Sequence, residues 1–254
     1  MKECFLLYID ILGFSELVNK NSEEIREIYK IINGLNVHKH YAFSTIIFSD
    51  TILVYNKITP ETTHDREYLI MFMCEFAQNL IFQGSNCGLS FRGIITYGEF
   101  EHYRLENVDC FYGKSLVYAY IKEKEINGIG LFIDNKIKKF NKIFETIKYN
   151  EDLDFVYLFQ SMFLLKLLSS EILPLDKIHI EGSDQFYRLK DEIELLKIYF
   201  KELMSNENPK VRAKYLQTYQ FYRVKMPSIF EQLEMTDFSL STINPDVKWN
   251  EVYQ

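Results

Sequence analysis

Two aspartates occupy positions where a folded chain rarely leaves a charge unpaired. Asp10 interrupts the apolar run FLLYIDILGF, and Asp50 lies between two strand-like stretches in FSDTILVY. A carboxylate withdrawn from water is costly unless a cation or hydrogen-bond donors meet it. If both carboxylates reach one edge of a sheet, they can hold Mg²⁺ or Mn²⁺ beside a nucleotide triphosphate. The alternative is structural, with Asp10 capping the loop at Gly13 and Asp50 serving only as a turn residue.

The segments around the aspartates predict a mixed fold of helices and strands. Asp10 closes a buried strand over 5–11, a helix follows near 22–32, and two strands meet in a turn over 48–50. Beyond them we expect a helix over 65–82, two strands from residue 89 that are joined at Gly98, and a helix over 114–125. A strand over 128–134 and a helix over 135–144 follow. This order predicts an α+β fold with a mainly antiparallel sheet covered by helices and with split βαβ units.

The last hundred residues differ from the first part of the chain. They are mostly helical in pattern, with long runs over 191–204 and 211–225 that Pro209 separates. We therefore predict one α+β domain over 1–150. The segment 151–254 is predicted to hold the end of that domain and a helical C-terminal extension.

Composition narrows the classes of function. The chain has 254 residues, of which 47% are hydrophobic, so it can bury a sizeable core. Its net charge of -7 argues against a broad nucleic-acid-binding surface. The cysteines and histidines show no zinc-ligand spacing. No apolar stretch has the length of a membrane span, and no leader is evident, so we expect a cytoplasmic protein that binds no membrane and no nucleic acid.

Four motifs together resemble a known family. YIDILGFSELV resembles the first metal motif of class III nucleotide cyclases, and FSDTILVY resembles the second, with Ser49 in place of the usual glycine. FRGIITYGEF and FYGKSLVYAYIKEKE resemble the strand and helix that follow in that family, over residues 4–145 in all. The likeness is closest to bacterial proteins with D-I-L-G-F, which include the pyrimidine (uridylate and cytidylate) cyclases of Pycsar antiphage defence. It implies a cyclase-like catalytic domain with a ferredoxin-like βαββαβ core.

The resemblance implies roles for individual residues. Asp10 and Asp50 would hold two Mg²⁺ or Mn²⁺ ions, with the Ile11 carbonyl as a further ligand. Backbone N–H groups from Leu12 through Gly13 to Phe14 would receive the triphosphate at the start of a helix. Attack of the ribose 3′-hydroxyl on the α-phosphate would give a 3′,5′-cyclic nucleotide and pyrophosphate.

The base-reading positions depart from the family pattern. Purine cyclases read the base with a polar pair, whose positions are Ile46 and Cys110 in this chain. Ile46 cannot hydrogen-bond a purine edge, which weakens ATP and GTP as substrates and leaves UTP or CTP. Tyr41 and Phe43 could stack on a base, although core packing is the alternative explanation for both.

The groups that stabilise the transition state also depart from the pattern. The family's asparagine and arginine would fall at Val117 and Ile121, which carry no polar group. Arg92 and Lys122 are the candidates to replace them. Arg92 contacts phosphate or forms a buried ion pair, and Lys122 is either catalytic or part of a solvated helix face.

Three functions remain open on the sequence. The first is a homodimeric pyrimidine nucleotide cyclase with its active sites at the interface, whose product acts on a separate effector. The second is a catalytically inactive cyclase-like domain that binds a nucleotide or a protein. The third, a palm-type polymerase or dinucleotide cyclase, lacks the Gly-Gly-[Asp/Glu]-Glu-Phe-like turn that such a protein needs.

Overall fold

The chain forms two compact units. The computed structural model describes residues 1–20, 22–181, 186 and 188–249. The first unit comprises Met1–Leu158 and contains the sheet, and the second comprises Phe159–Gln254 and is helical where it is described. The assignment of domains to 1–150 and 151–254 remains a prediction.

The first unit is built on an eight-stranded sheet in the order β2-β3-β1-β4-β6-β8-β7, with β5 paired to β4. Neighbouring described strands are antiparallel, except that β4 and β6 run parallel. The strands are β1 (Lys2–Leu12), β2 (Phe43–Phe48), β3 (Thr51–Asn56), β4 (Ser90–Arg104), β5 (Asp109–Tyr112), β6 (Gly130–Asp134), β7 (Thr146–Lys148) and β8 (Leu153–Val156).

The spatial order β2-β3-β1-β4 is that of a ferredoxin-like core, in which each βαβ crossover skips a strand. The helices of the first unit are α1 (Phe14–Lys20), α2 (Ser22–Gly34), α3 (Thr63–Gly84) and α4 (Lys114–Glu125). The predicted α+β fold with a mainly antiparallel sheet covered by helices is therefore confirmed.

Two local predictions were wrong. The region 135–144 is not an α-helix, because a short 3₁₀ turn, Lys138–Phe140, is followed by a turn in which Asn141 accepts the Phe144 N–H. The strand from residue 89 does not break at Gly98, because β4 stays paired with β1 from Leu12↔Ser90 to Lys2↔Phe100. The helix that the resemblance implies directly after Gly13 is present as the short helix α1.

Strand β1 is covered on both faces, which accounts for its unbroken apolar run. Cys4, Leu6 and Tyr8 form a cluster with Ala119 of α4, and the alternate side chains, such as Leu7, are also fully buried. A strand covered on both faces has no polar side to show, so alternation disappears. Asp10 continues the row of Leu6 and Tyr8, which faces α4.

The second unit contains five described α-helices. They are α5 (Gln160–Ser169), α6 (Lys177–Glu181), α7 (Leu189–Ser205), α8 (Pro209–Lys225) and α9 (Pro227–Met235). The two long predicted helices correspond to α7 and α8, and Pro209 is the first residue of α8 after the Asn208 cap. No described helix is both long and apolar enough to cross a bilayer.

A buried carboxyl group holds the start of α5. Glu192 of α7 is fully buried and accepts the backbone N–H groups of Ser161 at 3.1 Å and Met162 at 2.7 Å. It therefore replaces the cap that Phe159 does not supply. Burial raises the pKa of Glu192 to about 8.

Candidate functional site

Asp10 and Asp50 meet at one end of the sheet. In the register of the sheet, Asp10 lies opposite Thr51 of β3 on one side and Arg92 of β4 on the other. The N–H of Ile11 donates to the Asp50 carbonyl oxygen at 2.9 Å, which fixes the β2–β3 turn against the end of β1. The structure thus brings together the two aspartates and Ile11, the three residues expected to hold metal.

The Asp10 carboxylate lies in an environment that opposes its negative charge. Its side chain is 23% exposed. Burial contributes most to raising its pKa to about 6, followed by the charge of Glu123, while Arg92 acts in the opposite direction and Asp50 adds a smaller rise. Burial and the neighbouring carboxylates together therefore raise the pKa of Asp10 more than Arg92 lowers it.

Arg92 is held by groups of α4 and the residue after it. Its Nη2 forms an ion pair with Glu123 and lies 3.7 Å from Asp10 Oδ2, and its Nη1 donates to the Ile126 carbonyl at 2.9 Å. The Glu123 side chain is only 5% exposed. We call Asp10, Asp50, Arg92 and Glu123 the acid cluster.

Sequence reasoning missed Glu123. A signal was present, because an arginine on a core strand needs a buried carboxylate and α4 is the helix that packs on this part of the sheet. One of the two alternatives for Arg92 was a buried ion pair, and the structure shows this pair, with Glu123 in close contact and Asp10 at 3.7 Å.

The acid cluster suits a divalent cation. Asp10, Asp50 and the Ile11 carbonyl offer the hard oxygen ligands that Mg²⁺ and Mn²⁺ prefer. Three carboxylates against one guanidinium leave two negative charges to be neutralised. Within the described residues no group of three or more His, Cys, Asp or Glu side chains forms a preformed metal cage. A cation bound here would therefore need water or substrate phosphates as its remaining ligands.

Gly13 makes the turn between β1 and α1. Its φ of +74° lies in the left-handed region, and its carbonyl accepts the N–H groups of Glu16 at 3.0 Å and Leu17 at 3.1 Å. Leu12, Gly13 and Phe14 therefore follow Asp10 directly at the same end of the sheet. Their role in receiving phosphate stays a prediction.

An apolar cavity of about 330 Å³ lies beside the acid cluster. Thr51, the partner of Asp10 across the sheet, and Tyr8, two residues earlier, both line it. Its other walls come from β2, β5 and α4 and include Ile46, Phe48, Phe111, Val117 and Tyr120. Of the two base-reading candidates, Ile46 thus lines this cavity, whereas Cys110 is not among its lining residues and precedes the lining residue Phe111.

The structure does not bring Tyr41 and Phe43 to the aspartates. Phe43 pairs with Asn56, at the end of the β2–β3 hairpin opposite the turn that carries Asp50. Phe43 is 3% exposed, and Tyr41 stacks on His40 with ring centroids 4.8 Å apart. Core packing therefore accounts for Phe43, and neither residue is included in the site proposed below.

Lys122 also lies outside the acid cluster. Its Nζ is 2.8 Å from both Asp152 Oδ2 and Glu125 Oε2. These hydrogen bonds, that of Asp152 first, raise the pKa of Lys122 further above its ordinary value. The alternative of a structural lysine on the helix surface fits these contacts. Val117 and Ile121 are 57% and 50% exposed on the same helix.

The comparisons with known proteins found similarity only among solved structures. No family model and no curated protein matches the chain. The guanylyl cyclase Cya2 aligns at 15% identity and a TM-score of 0.44, over 61% of this chain and 91% of that chain. The guanylyl cyclase domain of RhoGC from the aquatic fungus Blastocladiella emersonii aligns at 15% identity and a TM-score of 0.48, over 61% of this chain and 94% of that chain. The adenylyl cyclase CyaB from P. aeruginosa aligns at 13% identity and a TM-score of 0.44, over the same shares. At such low identities and TM-scores, we infer the function from the site itself.

Replacing Ser49 with glycine should stabilise the protein. Ser49 has a φ of 55° in the turn before Asp50, a left-handed conformation that is strained for serine and free for glycine. We expect Ser49→Gly to raise the free energy of unfolding by about 0.5–1 kcal/mol in urea titrations. Ser44→Gly, in the extended strand β2, is the control and should lower it. A loss of stability in both variants would contradict this account of the turn.

Replacing Asp10 with asparagine should stabilise the metal-free protein at neutral pH. The pKa of Asp10 is about 6 in the folded chain, against about 3.9 unfolded. The folded state therefore holds the proton longer, and stability falls as pH rises from about 4 through about 6. At pH 8 in EDTA, Asp10→Asn should gain on the order of 1–2 kcal/mol by thermal unfolding, and no gain should remain below about pH 4.

The control for this pH dependence is Asp109→Asn, on a carboxylate that is 54% exposed and 3.7 Å from Arg104. It should leave the pH dependence of stability unchanged. Mg²⁺ or Mn²⁺ should raise the melting temperature of the parent chain more than that of Asp10→Asn. An Asp10→Asn variant that is destabilised equally at every pH would contradict the unbalanced charge assigned to the acid cluster.

Proposed function

We propose that this chain is a nucleotide cyclase that converts a pyrimidine nucleoside triphosphate into a 3′,5′-cyclic nucleotide and pyrophosphate. The observation that carries the proposal is the acid cluster at the end of β1, with its surplus of negative charge and an apolar cavity directly beside it. The motif resemblance over residues 4–145 supplies the reaction class.

The residues of the chain have distinct tasks in this proposal. Asp10, Asp50 and the Ile11 carbonyl would hold Mg²⁺ or Mn²⁺, two ions per site. When bound, the ions lower the pKa of the 3′-hydroxyl and neutralise the phosphates. The sheet register keeps Asp10 and the Asp50 turn at a fixed separation, so the ligands need little reorganisation when substrate arrives. Backbone N–H groups at Leu12, Gly13 and Phe14 would bind the triphosphate.

Arg92 acts in this proposal by positioning Asp10. Its guanidinium is shared between Glu123, Asp10 and the Ile126 carbonyl, so it is not free to reach a phosphate in this arrangement. Burial and Glu123 disfavour the ionised form of Asp10, and the positive charge of Arg92 limits this effect because it lowers the pKa of Asp10. Charge at the transition state would then be met by the metal ions and by backbone N–H groups.

The choice of a pyrimidine substrate is proposed from the motif resemblance and from one residue of the cavity. Ile46 stands where purine cyclases carry a polar base-reading residue, and it lines the cavity together with Phe48 and Val117. These side chains offer apolar contact and aromatic stacking to a base but no hydrogen bond to a purine edge, which supports UTP or CTP over ATP or GTP in this proposal.

The active form is proposed to be a homodimer. Four cavity-lining side chains are exposed large hydrophobics, Phe48 at 72%, Val117 at 57%, Tyr120 at 47% and Phe111 at 37%. We call these four the apolar rim. A second copy of the chain would bury the rim and close the cavity, which would complete a site open to solvent in one chain.

The cellular setting is proposed from the motif resemblance. The cyclic nucleotide would act in the cytoplasm as a second messenger of antiphage defence, on an effector protein separate from this chain. Neither membrane nor nucleic acid takes part in this scheme.

The competing function is a catalytically inactive domain that binds a nucleotide or a protein. Val117 and Ile121 favour it, because they replace the polar groups that the resembled family uses at the transition state. The negative charge around Asp10 favours the enzyme, because an inactive domain does not need a partly buried carboxyl group with a raised pKa.

Turnover with Mn²⁺ and each of the four nucleoside triphosphates tests the proposal. We expect pyrophosphate and a cyclic mononucleotide from UTP or CTP. Asp10→Ala and Asp50→Ala should each cost more than the about 10–100-fold typical of losing a residue that only supports a metal ligand. Asp109→Ala is the matched control and should keep full activity, since its carboxylate is exposed on β5.

Two results would contradict the cyclase. Full activity of either Asp10→Ala or Asp50→Ala would exclude the two-metal site. Nucleotide binding by calorimetry without turnover of any triphosphate would favour the inactive domain.

Val117→Glu tests the homodimer. A charge placed within the apolar rim should convert a dimer to a monomer in sedimentation equilibrium, and turnover should fall with it. Ile58→Glu is the control, because Ile58 is 46% exposed and lies outside the rim. A dimer that survives both Val117→Glu and Tyr120→Glu would show that another surface joins the copies.

A further inference from the structure

A second cavity, of about 540 Å³, lies in the first unit away from the acid cluster. It opens where β6 ends at Asp134 while β4 continues, and it is lined by residues of β1, α3, β4 and α4 and of the turn after β6. Phe5 and Tyr97, a pair in the β1–β4 register, are among its lining residues. Along β1, Phe5 is about 16 Å from Asp10 at about 3.3 Å per residue. The volume lies within the range of small-molecule sites.

Several cationic side chains line this cavity. Arg66, Lys136 and Lys139 all contribute to its walls. Arg66 Cζ lies 5.8 Å and Lys139 Nζ 5.1 Å from the centroid of the Phe140 ring, so two cations share one aromatic ring. In the described part of the chain, none of the three cations forms an ion pair with a carboxylate. Positive charges that line one cavity repel each other, and an anion bound among them would lower that repulsion.

The carboxylates of the same cavity already have partners. Glu99 Oε2 is 2.8 Å from Lys114 Nζ, and Glu3 Oε2 accepts the Tyr97 hydroxyl at 3.3 Å. Asp134 Oδ1 accepts the backbone N–H of Lys136 at 2.8 Å. With Lys114 and Glu99 offsetting each other, Arg66, Lys136 and Lys139 face the two carboxylates Glu3 and Asp134, so the lining carries one net positive charge, although the whole chain carries a net charge of -7.

Aromatic rings form the remaining wall. The Phe5 ring lies 4.9 Å from Tyr97 and 6.1 Å from Phe140, measured between centroids. A ligand that fits such a wall presents a flat ring, and one that fits the cations presents an oxyanion. We propose that this cavity binds a phosphate ester bearing a planar ring, of the size of a nucleoside monophosphate. Arg66 and Lys139 hold its phosphate, and Tyr97 and Phe140 pack against its ring.

This site is independent of the proposed catalytic function, because it shares no residue with the acid cluster. The test is isothermal titration calorimetry in EDTA on the full chain carrying Asp10→Asn, which removes a metal ligand of the other site. The probes are AMP, UMP and inorganic phosphate. We expect one saturable site for a nucleoside monophosphate, with inorganic phosphate at least about tenfold weaker because it lacks a ring to stack.

Charge variants assign the binding to this cavity. The double variant Arg66→Gln/Lys139→Gln should weaken binding at least about tenfold, whereas Arg66→Lys/Lys139→Arg, which keeps both charges, should retain it. Lys148→Gln is the control, because Lys148 is an exposed lysine of β7 paired with Glu151. Circular dichroism checks that each variant is folded.

Three outcomes would overturn the proposal. They are unchanged affinity in the glutamine double variant, equal affinity for inorganic phosphate and the nucleotides, and no saturable binding tighter than about 1 mM. None of them bears on turnover at Asp10, so this proposal and the cyclase can fail separately.

Discussion

The arrangement of the site depends on the ion pair between Arg92 and Glu123. The guanidinium comes from the middle strand β4, and both of its α4-side acceptors, Glu123 and the Ile126 carbonyl, come from one turn of chain. Breaking such a buried pair by removing one partner is strongly destabilising, because the other charge is left uncompensated. The pair therefore fixes where α4 lies on the sheet, and through it where the walls of the apolar cavity lie.

Asp10 is placed at the edge of that interaction and not at its centre. Its Oδ2 is 3.7 Å from Arg92 Nη2, longer than a hydrogen bond, while Glu123 makes the close contact. A guanidinium bound fully to Asp10 would compete with a metal ion for the same oxygens. By engaging Glu123, Arg92 lowers the pKa of Asp10 without forming a close contact to its carboxylate. This is why the ion pair and a metal site are compatible at one strand end.

Much of this arrangement could be predicted from sequence because its signals are local. A few neighbouring residues are enough to predict the strand around Asp10, the turn at Asp50 and the turn at the glycine after Leu12. Glu123 could not be found in this way, because its importance comes from β4, far away in sequence. Phe43 was ambiguous for the opposite reason: an aromatic residue entering a strand suits both a core and a base, and only the register of the hairpin separates them. The helix expected over 135–144 was wrong because side-chain-to-backbone bonds at Asn141 compete with helical ones.

Helix α4 takes part in both cavities, which matters for how substitutions in it are interpreted. Lys114 and Tyr118 line the second cavity, and Val117 and Tyr120 line the apolar cavity beside the acid cluster. Glu123, in the last turn of α4, pairs with Arg92. The helix is anchored between them by Ala119, which is fully buried in the cluster of Leu6 and Tyr8. Because packed interiors transmit displacement, a change at the buried Ala119 would disturb both sites at once. Arg66 of α3 and Lys139 of the turn after β6 lie outside α4, so substituting them tests the second cavity without changing α4.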